Sequence, residues 1–182
     1  YLQSANSDYN SVAIESVKQR AQTVRELTVL KTDKDTGKTV SNAGFKILQK
    51  LSRNFKQGDT KYKKNTYVWL KSDGTITTNV NDAYEFKTNE EGKAIIKNIL
   101  SYGTCYVYET SPGGDYELIE QEAGYLQGKP EDYEGEFLKG EWVYVGEIEI
   151  TTMTGTELSL LATNAHTMGS WTLTKKDSTY KN

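Results

Sequence analysis

Three side chains in this sequence could react with one another: the amine of Lys31, the carboxyl of Glu109 and the carboxamide of Asn164. The stretch Leu27-Thr28-Val29-Leu30-Lys31 alternates as a half-buried strand does, so Lys31 shares a face with Leu27 and Val29. An ammonium carried into a core is costly unless it is paired or chemically consumed; the bland alternative is a strand-end lysine whose head reaches water. Along Tyr102 to Thr110, Cys105, Val107 and Glu109 share one face and Tyr106 and Tyr108 the other. Both faces carry apolar bulk, so either could be the core. With the Val107 face inside, Glu109 is a buried carboxyl and Cys105 a small buried thiol. In Glu157 to Asn164, Leu158, Leu160, Ala162 and Asn164 have one parity, so a strand that buries its leucines carries Asn164 inward. Amine, carboxyl and carboxamide together are the reactants of an amide exchange. A neutral lysine attacks the asparagine carbonyl, while a protonated glutamic acid polarises it and shuttles protons.

Other chemistries find less support. The run Asp33-Lys34-Asp35-Thr36-Gly37-Lys38 resembles a calcium loop, but the twelfth position from Asp33 is Gly44 where an EF-hand needs glutamate, and an Asx-type turn is the simpler reading. His166 is the single histidine and Cys105 the single cysteine, which leaves no zinc constellation and no internal disulfide. No cofactor and no metal are expected. A net charge of -3 argues against a general nucleic-acid binder. The basic stretch Lys50 to Lys71, interleaved with Tyr62, Tyr67 and Trp69, therefore reads as a strand with solvated lysines rather than a base-stacking platform. The acidic region Tyr116 to Glu149, densest at Glu131 to Glu136, reads as a solvated surface ahead of paired glycosidase carboxylates. No apolar run is long enough to span a bilayer, and the first residues lack a signal-peptide pattern.

The elements that must position the three reactive groups are short strands. Beyond the strand ending at Lys31, Ala43 to Leu48 reads as a second strand with Phe45 and Ile47 inward, paired with or neighbouring the first. Tyr67 to Leu70, a turn at Ser72 to Thr75, Tyr84 to Lys87, a turn at Asn89 to Lys93, and Ala94 to Ile99 follow. Trp142 to Val145 and Glu147 to Ile150 complete the pattern, the latter with one wet face. Short strands separated by Gly, Asp and Asn turns predict an all-β sandwich.

The order Leu-Thr-Val-Leu-Lys31-Thr-Asp-Lys-Asp-Thr-Gly, Asn-Ala-Gly-Phe45, Phe86-Lys-Thr-Asn-Glu-Glu-Gly92-Lys, Gly103-Thr-Cys-Tyr-Val-Tyr-Glu109-Thr-Ser-Pro-Gly and Ala-Thr-Asn164 resembles the CnaB-type domains of Gram-positive surface proteins and pilins. The resemblance covers roughly Leu27 to Asn164. It implies an all-β, Greek-key-type sandwich of the prealbumin-like or inverse immunoglobulin-like kind. It also implies an autocatalytic Lys31–Asn164 isopeptide bond, with Glu109 as proton shuttle. Two departures stand out. The glutamate motif usually continues Ala-Pro-x-Gly-Tyr, whereas here it runs Ser111-Pro112-Gly113-Gly114-Asp115-Tyr116, and the 46–86 segment is a long insertion.

These readings predict a connector or the end of a preceding domain over 1–26, the sandwich over 27–165, and a linker with the first strand of a following domain over 166–182. The last rests on Gly169 to Asp177, which resembles Leu27 to Asp33 with Lys175 in the place of Lys31. The expected function is a stalk module of an extracellular, cell-wall-anchored adhesin or pilus-like protein, its anchor outside this stretch and its partners the neighbouring domains. It is not expected to be an enzyme beyond one turnover on itself. The alternative is a module whose 46–86 insertion binds host matrix or glycan; a glycosidase comes third.

Overall fold

The computed structural model describes residues 23–114, 116, 118 and 128–164. Strands run β1 (Arg25–Asp33), β2 (Gly44–Leu51), β3 (Phe55–Gln57), β4 (Thr60–Tyr62), β5 (Tyr67–Leu70) and β6 (Ile76–Thr77). After a short 3-10 turn at Val80–Asp82 come β7 (Phe86–Lys87), β8 (Lys93–Ile99), β9 (Gly103–Ser111), β10 (Val143–Ile150) and β11 (Glu157–Asn164). The expected connector up to residue 22 and the Gly169 to Asp177 stretch lie outside the described residues, as does His166.

One sheet has the order β11-β1-β8, and the other β10-β9-β2-β5-β6 with β7 also on β2. Strict alternation in β1 drives the packing. Leu27, Val29, Lys31 and Asp33 are buried while Glu26, Thr28, Leu30 and Thr32 are half-exposed. Across from them, Phe45 and Ile47 of β2, Val68 of β5 and Cys105 and Val107 of β9 close one core with Ala94, Ile96 and Ala162. Each such fully buried aliphatic or aromatic side chain contributes about 1.5–3 kcal/mol.

Three expectations need correction. β1 and β2 are not a hairpin or neighbouring pair, because both edges of β1 are taken, by β8 antiparallel and by β11 in parallel. The chain after β1 therefore crosses to the opposite sheet. Tyr84 precedes its strand, which is only Phe86–Lys87, and Trp142 lies just before β10. The acidic region is more than a solvated surface. Its carboxylates from Glu131 to Glu149 are exposed, but Tyr133 is buried, and Phe137, Leu138 and Trp142 pack with it on Leu48, Trp69 and Tyr108. This second core covers the outer face of the larger sheet. It resolves the ambiguity of β9, whose two faces are both interior: Val107 and Cys105 on one side, Tyr108 on the other.

The insertion supplies β3 to β6. The β3–β4 hairpin is tied to β6 by Gln57, which donates to the Ile76 carbonyl at 3.0 Å and accepts its amide at 2.7 Å. The turn between β5 and β6 uses Asp73, whose carboxylate accepts the Thr75 amide, and Gly74 at φ 82°.

Candidate functional site

Lys31 sits near the end of β1, where its amide donates to the Gly92 carbonyl at 2.7 Å and its carbonyl accepts from Val40 at 3.0 Å. Those bonds fix the backbone on both sides, so the side chain enters the core from a rigid base. Glu109 comes from the opposite sheet, on β9 between Phe45 of β2 and Val143 of β10. Lys31 Nζ lies 2.9 Å from each Glu109 oxygen, with the two side chains 0% and 1% exposed. This is an ion-pair geometry in a dry place. Burial pushes the Lys31 amine below its ordinary range and outweighs the Glu109 carboxylate beside it, which pulls the other way. Desolvation thus works against the charged form of the amine, while contact with the Glu109 carboxylate works for it.

Asn164 is the last residue of β11. The parallel register sets Ala162 opposite Lys31 and Asn164 opposite Asp33. The structure thus brings Lys31 and Glu109 into contact, and the backbone of Asn164 two residues further along the β1–β11 ladder.

Sequence reasoning missed Asp33, which it placed in a loop. The β1 alternation continues through it, and its side chain is 1% exposed. Its Oδ1 accepts the Asp35 and Thr36 amides at 2.8 and 2.6 Å, and its Oδ2 accepts the Tyr116 hydroxyl at 2.9 Å. The Thr36 amide above all holds this carboxyl down at about 2 against its ordinary 3.8. The loop is therefore an Asx-type turn closed by its own backbone. The parity of Leu27, Val29 and Lys31 was the signal that could have found it.

Tyr116 reaches Asp33 because the chain turns sharply after β9. Gly113 has φ 74°, and a Cβ there would stand 2.4 Å from the Ser41 carbonyl oxygen, so only glycine fits. Cys105 is fully buried, its thiol pushed up to about 12 by desolvation, and behaves as a small core residue.

The paired-carboxylate reading finds a different geometry. Asp132 receives Lys50 and the Tyr67 hydroxyl, which removes it from any free carboxylate pair. A cleft of about 350 Å³ on the outer face is lined by Lys46, Asn81, Glu85, Phe137 and Glu141 among others. Glu85 there accepts the Thr110 hydroxyl at 2.7 Å and lies 3.7 Å from Lys87.

Among solved structures, the chain is similar to the group B streptococcus pilus 2b backbone protein at 16% identity, covering 78% of this chain and 41% of that one, TM-score 0.48. GBS52, the minor pilin of Streptococcus agalactiae, aligns at 15% identity over 85% of this chain and 49% of its own, TM-score 0.45. The shaft pilin SpaA from Lactobacillus rhamnosus GG aligns at 18% identity over 78% and 46%, TM-score 0.40. The chain spans less than half the length of each of these three. A search of curated proteins returned no match. The family model described as "SpaA: Prealbumin-like fold domain" matches residues 25–125, more than half of the sequence and the span that holds β1 to β9 with both Lys31 and Glu109, and the chain belongs to that family.

Proposed function

We propose that this prealbumin-like domain is a structural module of an extracellular Gram-positive surface protein, a pilus-like shaft or an adhesin stalk, and that it crosslinks itself between Lys31 and Asn164. The observation that carries the reading is the fully buried Lys31–Glu109 contact of 2.9 Å, beside the strand end that bears Asn164. Family membership supports the setting. In the reaction the neutral Lys31 Nζ attacks the Asn164 carboxamide carbon, and a new C–N bond forms. Glu109, protonated, donates to the carbonyl oxygen as charge develops there, takes a proton from the attacking nitrogen and passes one to the departing amide nitrogen. The old C–N bond breaks and ammonia leaves; no redox change occurs. Holding the groups in contact supplies much of the rate. Modules before residue 27 and after residue 165 would be the partners, joined in one chain.

Intact mass tests the proposal. The folded protein should be lighter than its sequence by one ammonia, and tryptic mapping should join the Lys31 and Asn164 peptides. An unmodified mass would show that Lys31 and Glu109 are only a buried pair.

A second reading, ligand binding by the 46–86 insertion, is favoured by one observation: the outer cleft draws Lys46, Val80, Asn81 and Glu85 from that segment. Glycan or matrix protein retained by the parent and lost in Asn81→Ala would support it; retention by both, or by neither, would count against it.

A further inference from the structure

Two buried carboxyls lie within reach of one buried amine. Lys31 and Asp33 occupy the same face of β1, one strand repeat of about 6.7 Å apart, a distance a lysine side chain spans. Each is at most 1% exposed, so each needs partners within the protein. Glu109 is nevertheless the carboxylate that acts on the Lys31 charge. The Asp33 contacts account for this division. Its Oδ1 is filled by two amides of the 33–36 turn, and its Oδ2 is met by the Tyr116 hydroxyl, carried there by the turn that follows the strand bearing Glu109.

Resting on the crosslinking reading above, we propose that Tyr116 is a positioning residue that occupies Asp33 Oδ2 and so withholds a competing buried carboxylate from Lys31. Without the hydroxyl, the Asp33 carboxylate would keep only what the 33–36 turn supplies, and the Lys31 amine, on the same buried face one repeat away, becomes a competing donor. An Asp33–Lys31 pair would keep the amine protonated and draw it from Glu109. Where the amine is mostly protonated, each unit of rise in its pKa lowers the neutral fraction about tenfold. The extra residue that sets this chain apart, Ser111-Pro112-Gly113-Gly114-Asp115-Tyr116, lies in the connection that delivers the tyrosine.

The full chain is synthesised in a cell-free system, samples are quenched in acid, and loss of ammonia is followed by intact mass. Tyr116→Phe should join about tenfold more slowly than the parent. Asp33→Asn, which keeps an acceptor for the turn amides but cannot hold an ammonium by charge, should join at the parent rate. Asp33→Asn with Tyr116→Phe should recover that rate, a rescue that a purely structural tyrosine would not give. Melting of each variant in an Asn164→Ala background confirms folding at the assay temperature. Should Tyr116→Phe melt below it, Tyr116→Leu takes its place with the same expected rescue. Three outcomes overturn the proposal: Tyr116→Phe at the parent rate, a double variant as slow as Tyr116→Phe, or a slow Asp33→Asn. A parent that never loses ammonia overturns the crosslinking reading itself.

Discussion

An amine and a carboxyl 2.9 Å apart and buried from solvent can exist as ion pair or neutral pair, and the chemistry proposed here needs the neutral form. Glu109→Gln separates proton transfer from packing. The amide keeps the size of the acid and a donor but cannot shuttle a proton, so this variant should fold and retain its full sequence mass. If it loses ammonia as completely as the parent, the catalytic role of Glu109 must be withdrawn. Asp33 gives a second test, through acid stability. Its carboxyl is depressed in the folded state, so its contribution is present above its ordinary 3.8 and is lost as pH falls through that value towards about 2. Denaturant midpoints for the parent and Asp33→Asn should therefore differ at neutral pH and converge across that window. A gap unchanged down to pH values of about 2 would mean that the carboxylate charge is not what stabilises the turn. At this scale the alternation in β1 made Lys31 legible, and the same alternation could have exposed Asp33. What the sequence concealed was the partner, because Tyr116 meets Asp33 only through a turn whose direction Gly113 sets.

Among the elements, β9 serves both cores, as β2 and β5 do. Its Val107 face packs against β1 and β8, and its Tyr108 face is roofed by Tyr133, Phe137 and Trp142. The Tyr108 hydroxyl donates to the Gly128 carbonyl at 2.5 Å, and Trp69 Nε1 donates to the Tyr133 hydroxyl at 3.1 Å. Tyr133 in turn donates to the Glu136 carbonyl at 2.7 Å, so one hydroxyl joins the roof to β5. Tyr133→Phe should cost about 2–4 kcal/mol, the net hydrogen bond to the Glu136 carbonyl plus the penalty for leaving the Trp69 indole N–H unpaired. Phe137→Ala should cost about 3 kcal/mol, the lower end for an aromatic truncation because Phe137 is only half-buried. Both are measured as shifts in denaturant midpoint, and both variants should still lose ammonia, since the roof lies on the far side of β9 from Lys31. A roof variant that folds yet fails to join would show that the two faces are coupled. The strands themselves were largely legible from alternation and turn residues. The roof was not, because residues 128–142 have no strand or helix period, and their charge masks three aromatic anchors. The hairpin expected of β1 and β2 failed for another reason: sequence adjacency says nothing about which edges a distant β11 will occupy.

For the molecule as a whole, the topology decides what a Lys31–Asn164 bond would do. β1 and β11 run parallel over eight residue pairs, from Glu26 opposite Glu157 to Asp33 opposite Asn164. Pulling the chain from its two ends loads this ladder along the strands, with all its hydrogen bonds sharing the shear. A bond at Lys31 and Asn164 changes the path. Tension then enters along β1 to Lys31, crosses the new amide and leaves from Asn164, so the more than one hundred residues between them carry none of it. The same closure restricts the unfolded chain, and the loop-entropy relation for crosslinks gives about 4–5 kcal/mol for a loop of this size. Asn164→Ala should therefore restore the sequence mass and melt lower. Lys31→Ala should lose more, because it also removes the buried contact with Glu109 and the packing of the lysine stem. Under force the contrast should be sharper than under heat. A parent molecule held by tethers at its two ends should show no extension step from the 32–163 segment at any force short of covalent rupture, whereas Asn164→Ala should release that segment in one step. If the parent releases it too, the two strands are not joined, and the ladder alone bears the load.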